Sequence, residues 1–224
     1  MGFLPSPWYN QPMAEIIRKT SNYPWSYFRR FNPVVRIMIL SDILTVMSRL
    51  GFVTPLFAVY ITDRIPGGNL EVVGIASMIY LLSKSLSQIA TSALIDSIRG
   101  EKDDFWAMTG GTACFSLVYL MYIFIDSVAG LYILQFFLGL AAAFLFPSWT
   151  ASFSRHLDKR QEGREWGMYF TLTDLSSAAA AILGGVIAYR LGFTYLFVLA
   201  AAVSLVGTLL LLSVRKKFYK PTEP

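Results

Sequence analysis

Cysteine and histidine are almost missing from this chain, with one of each in 224 residues. Cys114 alone, in an apolar run, excludes a disulfide framework and a thiolate metal site. His156 falls in a charged loop and reads as a solvated residue rather than a catalytic base. Charged residues make up only 15% of the chain. There is no glycine loop followed by Lys-Ser or Lys-Thr, so ATP does not drive this protein by itself and no cofactor is implied. Serine and aspartyl intramembrane protease motifs are missing too, and the chain does not read as an enzyme. The ten-residue alternating segments of a membrane β-barrel do not occur. Nor does the tail before Asn32 carry a cleavable apolar region ahead of a small-residue site, so it is not read as a secretory signal.

What abounds is apolar length. Hydrophobic residues are 55% of the chain and the mean hydropathy is +0.53. Runs of membrane-spanning length recur at 34–61, 72–95, 105–125, 131–153, 167–189 and 193–214. They predict an all-α membrane protein: an interfacial tail at 1–32, a six-span bundle at 33–218 and a second tail at 219–224. A short helical candidate, Ala14 to Lys19, and Trp25 suit a tail lying on the inner membrane surface.

A net charge of +5 could suggest nucleic acid, but its placement makes it a topology signal. Arg18, Lys19, Arg29 and Arg30 precede span one, Arg99 and Lys102 follow span two, and Arg155, Lys159, Arg160 and Arg164 follow span four. Arg215, Lys216, Lys217 and Lys220 close the chain, while the opposite side has only Arg64 and Arg190. The positive-inside rule then puts both termini in the cytoplasm, with the bilayer of the cell (inner) membrane as the surrounding partner. Trp25, Trp106, Trp149 and Trp166 fall at the inner interface and Tyr60, Tyr132, Tyr189 and Tyr195 near the outer one, as an aromatic belt requires.

Against that apolar background, "SDILTVMSRLG" at 41–51 places Asp42 and Arg49 inside span one. Each charge costs about 2.5–3.5 kcal/mol at mid-membrane. Seven residues put them on one helix face about 10 Å apart along the axis, too far for an easy mutual ion pair. Span two adds Lys84 and Gln88, and span five adds Asp174 beside Thr173, Ser176 and Ser177. Span four has only Gln135 as a clearly polar interior residue. Intramembrane charges face a bundle interior or a water-filled cavity, so spans one, two and five are predicted to line something polar, with three and six outside. Arg49 and Lys84 fall near mid-depth; Asp42 and Asp174 lie nearer the cytoplasmic end. Two readings follow: a solute site, or helix-to-helix glue in which Arg49 pairs with Asp174.

Small residues mark further faces. Ser83, Ser87 and Thr91 recur every four residues on span two, and Ser177, Ala181 and Gly185 do so on span five, with Ala180, Gly184 and Ala188 alongside. Such stripes let helices approach closely. On charge-bearing helices they predict an interface between two six-helix units. Leu50-Gly51 recurs as Leu138-Gly139 and Ser116-Leu117-Val118 as Ser204-Leu205-Val206, while Lys84 corresponds to Asp174. These offsets superpose spans one to three on four to six, as in a 3+3 inverted repeat.

Together these residues resemble one half of a major facilitator superfamily (MFS) transporter. "SALIDSIRGEKDD" is similar to the signature loop after span two, with Asp96 at the acidic position and Arg99, Gly100 and Lys102 as its basic-glycine part. "LQFFLGLAAAF" resembles the family's span four, with Gly139 present and Gln135 where the family has arginine. "DKRQEGREWG" and "GGVIAYRLGFTYLF" resemble the later patterns. The resemblance implies a six-helix half whose spans one, two, four and five surround a cavity. It further implies a secondary transporter of a small polar or anionic solute working by alternating access, completed by a second copy as a homodimer or by another six-span half. Arg49, Lys84, Gln88 and Asp174 are the expected solute-binding residues, Asp42 and Asp174 the coupling groups, and Asp96 and Arg99 a cytoplasmic latch against the other half. A non-transporting accessory or receptor module is the alternative. Nucleic acid is not an expected partner.

Overall fold

The computed structural model describes residues 28–97 and 100–218; Arg99, the Ala14 to Lys19 segment, Trp25 and the tail at 219–224 lie outside them. Six helical spans are each long and apolar enough to cross a membrane: Pro33–Arg64, Leu70–Ser97, Lys102–Phe124, Val128–His156, Glu162–Arg190 and Phe193–Leu212. Helices suit this solvent because every backbone group finds its partner within the segment. The starts are written in side chains. Asn32 accepts from the Val34 N–H at 2.9 Å ahead of Pro33, Asn69 accepts from Val72 at 3.0 Å, and Ser127 accepts from Gly130 at 3.3 Å. Gly192, at φ +95°, supplies the left-handed turn between spans five and six.

Span one is not a uniform helix. A regular stretch, Pro33–Val46, gives way to a π-helical segment, Met47–Val53, then a 3-10 turn at Thr54–Leu56 and a second regular stretch, Phe57–Arg64. Pro55 has no N–H and crowds the carbonyl four residues back, so the ladder cannot stay regular here. The loosened Arg49 carbonyl instead accepts from the Thr54 N–H and, at 2.7 Å, from the Thr54 hydroxyl.

The bundle closes on small residues. A Cβ on Gly139 of span four would collide with the Ser83 hydroxyl of span two, and one on Gly51 of span one with Ala180 of span five. A Cβ on Gly111 of span three would lie 2.8 Å from the Leu145 Cβ of span four, and one on Gly207 of span six 2.8 Å from the Ser41 carbonyl of span one. Spans three and six also pack on each other. Exchanging spans one to three for four to six turns the 2·4 contact into 5·1 and the 3·4 contact into 6·1. That pairing is the 3+3 inverted repeat.

This geometry corrects the expected role of the small-residue stripe on span two. Ser83 and Thr91 are buried against span four, where the Thr91 hydroxyl donates to the Ala143 carbonyl at 2.8 Å. Ala180 and Gly184 are buried against Gly51 and Phe52. The span-two stripe and the Ala180–Gly184 face of span five therefore pack within the bundle, whereas a Cβ on Gly185 would meet nothing within 4 Å. Spans two and five leave large apolar side chains open, with Leu86 70% exposed, Ile89 76% and Ile182 72%.

At the end of the bundle that carries Asn32 and Phe218, polar groups tie links together. The Asn32 N–H donates to Asp158 at 3.2 Å and its amide to the His156 carbonyl at 3.3 Å. Arg155 bonds Asp104 and approaches Glu101 at 3.6 Å. His156 is not a solvated loop residue: it ends span four, lies 3.5 Å from Glu101 and packs on Phe218. The aromatic belt also needs correction. Trp149 is buried and stacked on Phe153, with Trp166 and Tyr169 against them, and Tyr60 is buried with its hydroxyl on the Tyr122 carbonyl at 2.6 Å. Trp106, Tyr189 and Tyr195 are exposed, as belt residues should be.

Candidate functional site

Three helices bring the charged residues of spans one and two to a common region. Asp42 is buried and accepts a 2.7 Å hydrogen bond from the Tyr169 hydroxyl of span five. A short bond to a carboxylate is the strong kind, and it fixes the Asp42 side chain against that helix. Arg49 leaves the backbone from the π-helical segment, which alters the direction a regular helix would give it. Its guanidinium lies 5.2 Å from the centre of the Phe146 ring of span four, and the Lys84 ammonium lies 4.4 Å from the same ring. A cation held by an aromatic face is favoured by about 0.5–2 kcal/mol, more as it is desolvated.

Neither Arg49 nor Lys84 has a carboxylate within ion-pair distance among the described residues. The expected Arg49–Asp174 glue is therefore not made. Asp174 sits on an exposed face of span five, while Arg49 reaches toward spans two and four. Two cations share one ring with no carboxylate at ion-pair distance among the described residues.

Two cavities flank this layer. Toward the Asn32–Phe218 end, Gln88 and Asp96 line a cavity of about 380 Å³ with Phe146, Pro147 and Thr150. Asp96 is exposed there at the end of span two. On the other side, Arg49 borders a cavity of about 350 Å³ with Tyr80, Tyr119, Tyr122 and Gln135. The buried Gln135 amide donates to the Tyr122 hydroxyl at 3.2 Å.

The structure thus joins Arg49 to Lys84, Gln88 to Asp96, and leaves Asp174 apart. Sequence reasoning missed Phe146, Tyr169 and Tyr119. Aromatic residues are 15% of the chain and spread through every span, so no signal distinguished these three. The arrangement can hold an anion: a mid-span cationic pair on a rigid aromatic platform, with a bonded carboxylate about two turns along the same helix.

Comparison with known proteins agrees with this architecture. An MFS-type transporter of Methanocaldococcus jannaschii is 28% identical over 167 residues, covering 71% of this chain and 42% of that protein. The proton-coupled antiporter flippase LtaA of Staphylococcus saprophyticus is 23% identical over 124 residues, covering 52% of this chain and 31% of that protein. The chain thus spans less than half the length of these relatives. The crystal structure of the POT family transporter PepTSo superposes with a TM-score of 0.66 at 18% identity, over 85% of this chain and 39% of that one, a likeness of fold. The family model of the Major Facilitator Superfamily matches residues 41–224, and with the six-span inverted repeat in place this chain belongs to that family.

Proposed function

We propose that this protein forms half of a secondary transporter that moves a small polar or anionic solute by alternating access. The observation that carries this reading is the Arg49–Lys84 pair on Phe146, with no carboxylate at ion-pair distance among the described residues. Arg49 takes a carboxylate or phosphate in a bidentate fork, and Lys84 adds a second positive charge. Gln88 extends the polar lining toward the Asn32–Phe218 end. Asp42 and Asp174 serve coupling, a role that fits the proton-coupled character of one relative.

The exposed faces of spans two and five receive a second six-helix unit, most simply a second copy related by a two-fold axis along the membrane normal. Charges exposed on one half then face a shared water-filled cleft rather than lipid. Asp96 with Arg99 fastens one unit to the other at the end that carries Asn32 and Phe218, which the positive-inside pattern makes cytoplasmic.

The test is a thermal-shift screen of carboxylates and phosphates on purified protein, followed by uptake into proteoliposomes. Arg49→Lys keeps assembly and weakens binding; Asp42→Asn keeps binding and changes its pH dependence. Full-strength anion binding by a well-assembled Arg49→Ala protein removes Arg49 from the site and ends the proposal.

A further inference from the structure

Behind the cationic pair, away from the Asn32–Phe218 end, lies the cavity of about 350 Å³ between spans one, two, three and four. Its size is in the lower range for small-molecule pockets. Its wall is chiefly apolar, with Val53, Phe57, Val73, Phe115 and Leu138 around it. At its inner edge stands Arg49, and at its mouth are Thr54 and Ser77, both exposed.

One wall residue is out of keeping with close helix packing. Tyr119 is 1% exposed, lines the cavity, and its hydroxyl has no hydrogen-bond partner among the described residues. A buried hydroxyl without a partner is unfavourable, and tyrosines in this position usually find one. Its neighbour Tyr122 is satisfied by the Gln135 amide, and Tyr60 by the Tyr122 carbonyl. The buried Tyr119 hydroxyl, in the cavity wall that Arg49 borders, is left without a partner among the described residues.

We infer that this cavity is a subsite for an anion with an apolar body: the head bonds Arg49 and the Tyr119 hydroxyl, and an aryl or acyl body fills the space between spans one to four. The inference rests on the Arg49 reading above and narrows its solute class from any small anion to an amphipathic one. A free aryl acid and a lipid with an acyl tail and phosphate head share this chemistry.

The experiment is isothermal titration of the purified chain with 3-phenylpropionate, propionate, 3-phenylpropanol and 1-oleoyl-lysophosphatidate. 3-Phenylpropionate should bind at least about tenfold tighter than propionate, through burial of its ring. Ser77→Trp, which fills the mouth from an exposed position, should bring the two acids within about twofold of each other. Tyr119→Phe should weaken 3-phenylpropionate about three- to tenfold while leaving the unliganded thermal midpoint unchanged or raised, because it removes an unsatisfied hydroxyl. Displacement of 3-phenylpropionate by the lysophosphatidate, abolished in Ser77→Trp, assigns a lipid; no displacement assigns a free acid, and either upholds the subsite. If the two acids bind alike but both need Arg49, the subsite is wrong and the proposed function stands. If 3-phenylpropanol binds as tightly as the acid, the anionic head and the Arg49 reading fall together.

Discussion

The Tyr169 hydroxyl donates a 2.7 Å hydrogen bond to the Asp42 carboxylate, joining spans one and five across 127 residues of sequence. A bond of this kind to a charged group contributes about 1.5–3 kcal/mol. Tyr169→Phe should lower stability by about that amount, measured as unfolding of the purified protein. The Asp42→Ala, Tyr169→Phe double variant should lose less than the sum of the singles, because each single removes the same contact. Additive losses would mean that the two residues do not act on each other.

The close seat of span four on span two depends on Gly139. A Cβ there meets the Ser83 hydroxyl and lies 2.6 Å from the Tyr80 carbonyl, so replacing Ser83 relieves only part of the clash. Gly139→Ala should destabilise by about 1–3 kcal/mol, the usual range for overpacking. Gly185→Ala meets open space and should cost nothing or stabilise slightly. Thermal midpoints of the two variants, side by side, check this.

Phe146 organises the cationic layer. Phe146→Leu keeps an apolar side chain but loses the ring face that holds Arg49 and Lys84, and should weaken anion binding by about 0.5–2 kcal/mol. Phe146→Trp should retain binding. Titration of both variants with one carboxylate reads the difference; equal binding by Leu and Trp would show that the ring face is idle.

If a second six-helix unit covers spans two and five, its contacts fall on their exposed apolar faces. In a background with the exposed Cys114 replaced by alanine, Leu86→Cys and Ile182→Cys should cross-link in membranes. Ser83→Cys should not, because its side chain is directed at Gly139 of its own chain. Cross-linking from Ser83 in preference to Leu86 would overturn this arrangement of the interface.

Much of this architecture was legible in the residues. Apolar run length located all six spans, since lipid leaves a helix few other options, and the run at 34–61 lies within Pro33–Arg64. The Gly51 and Gly139 echo pointed to the repeat because both glycines serve the same contact, one on span five and one on span two. The site was legible only in its charges. Arg49 and Lys84 stand out because their cost in lipid demands a reason, whereas Phe146 and Tyr169 cost nothing there and so leave no mark. The Arg49–Asp174 pair failed for a geometric reason: depth along the membrane can be counted from sequence, but the direction of a side chain around its helix cannot once the helix departs from 3.6 residues per turn. The stripe on span two was misassigned because small residues give the same spacing whichever helix they meet.

That departure in span one has a consequence for how the chain can change in length. The π-helical segment Met47–Val53 is in effect a regular helix with one residue too many. Removing a single residue between 50 and 53 would let the ladder close in the ordinary register. Everything before the cut would then keep nearly its present orientation relative to everything after it, because the bulge is what takes up the extra residue. The bond between Asp42 and Tyr169, outside the segment, could survive, whereas Arg49 and Gly51, inside it, would be re-aimed. An insertion or deletion here is therefore not the neutral loss of one apolar residue from a long apolar run. A relative whose alignment gaps at this point carries a differently aimed arginine, even where every letter around the gap agrees.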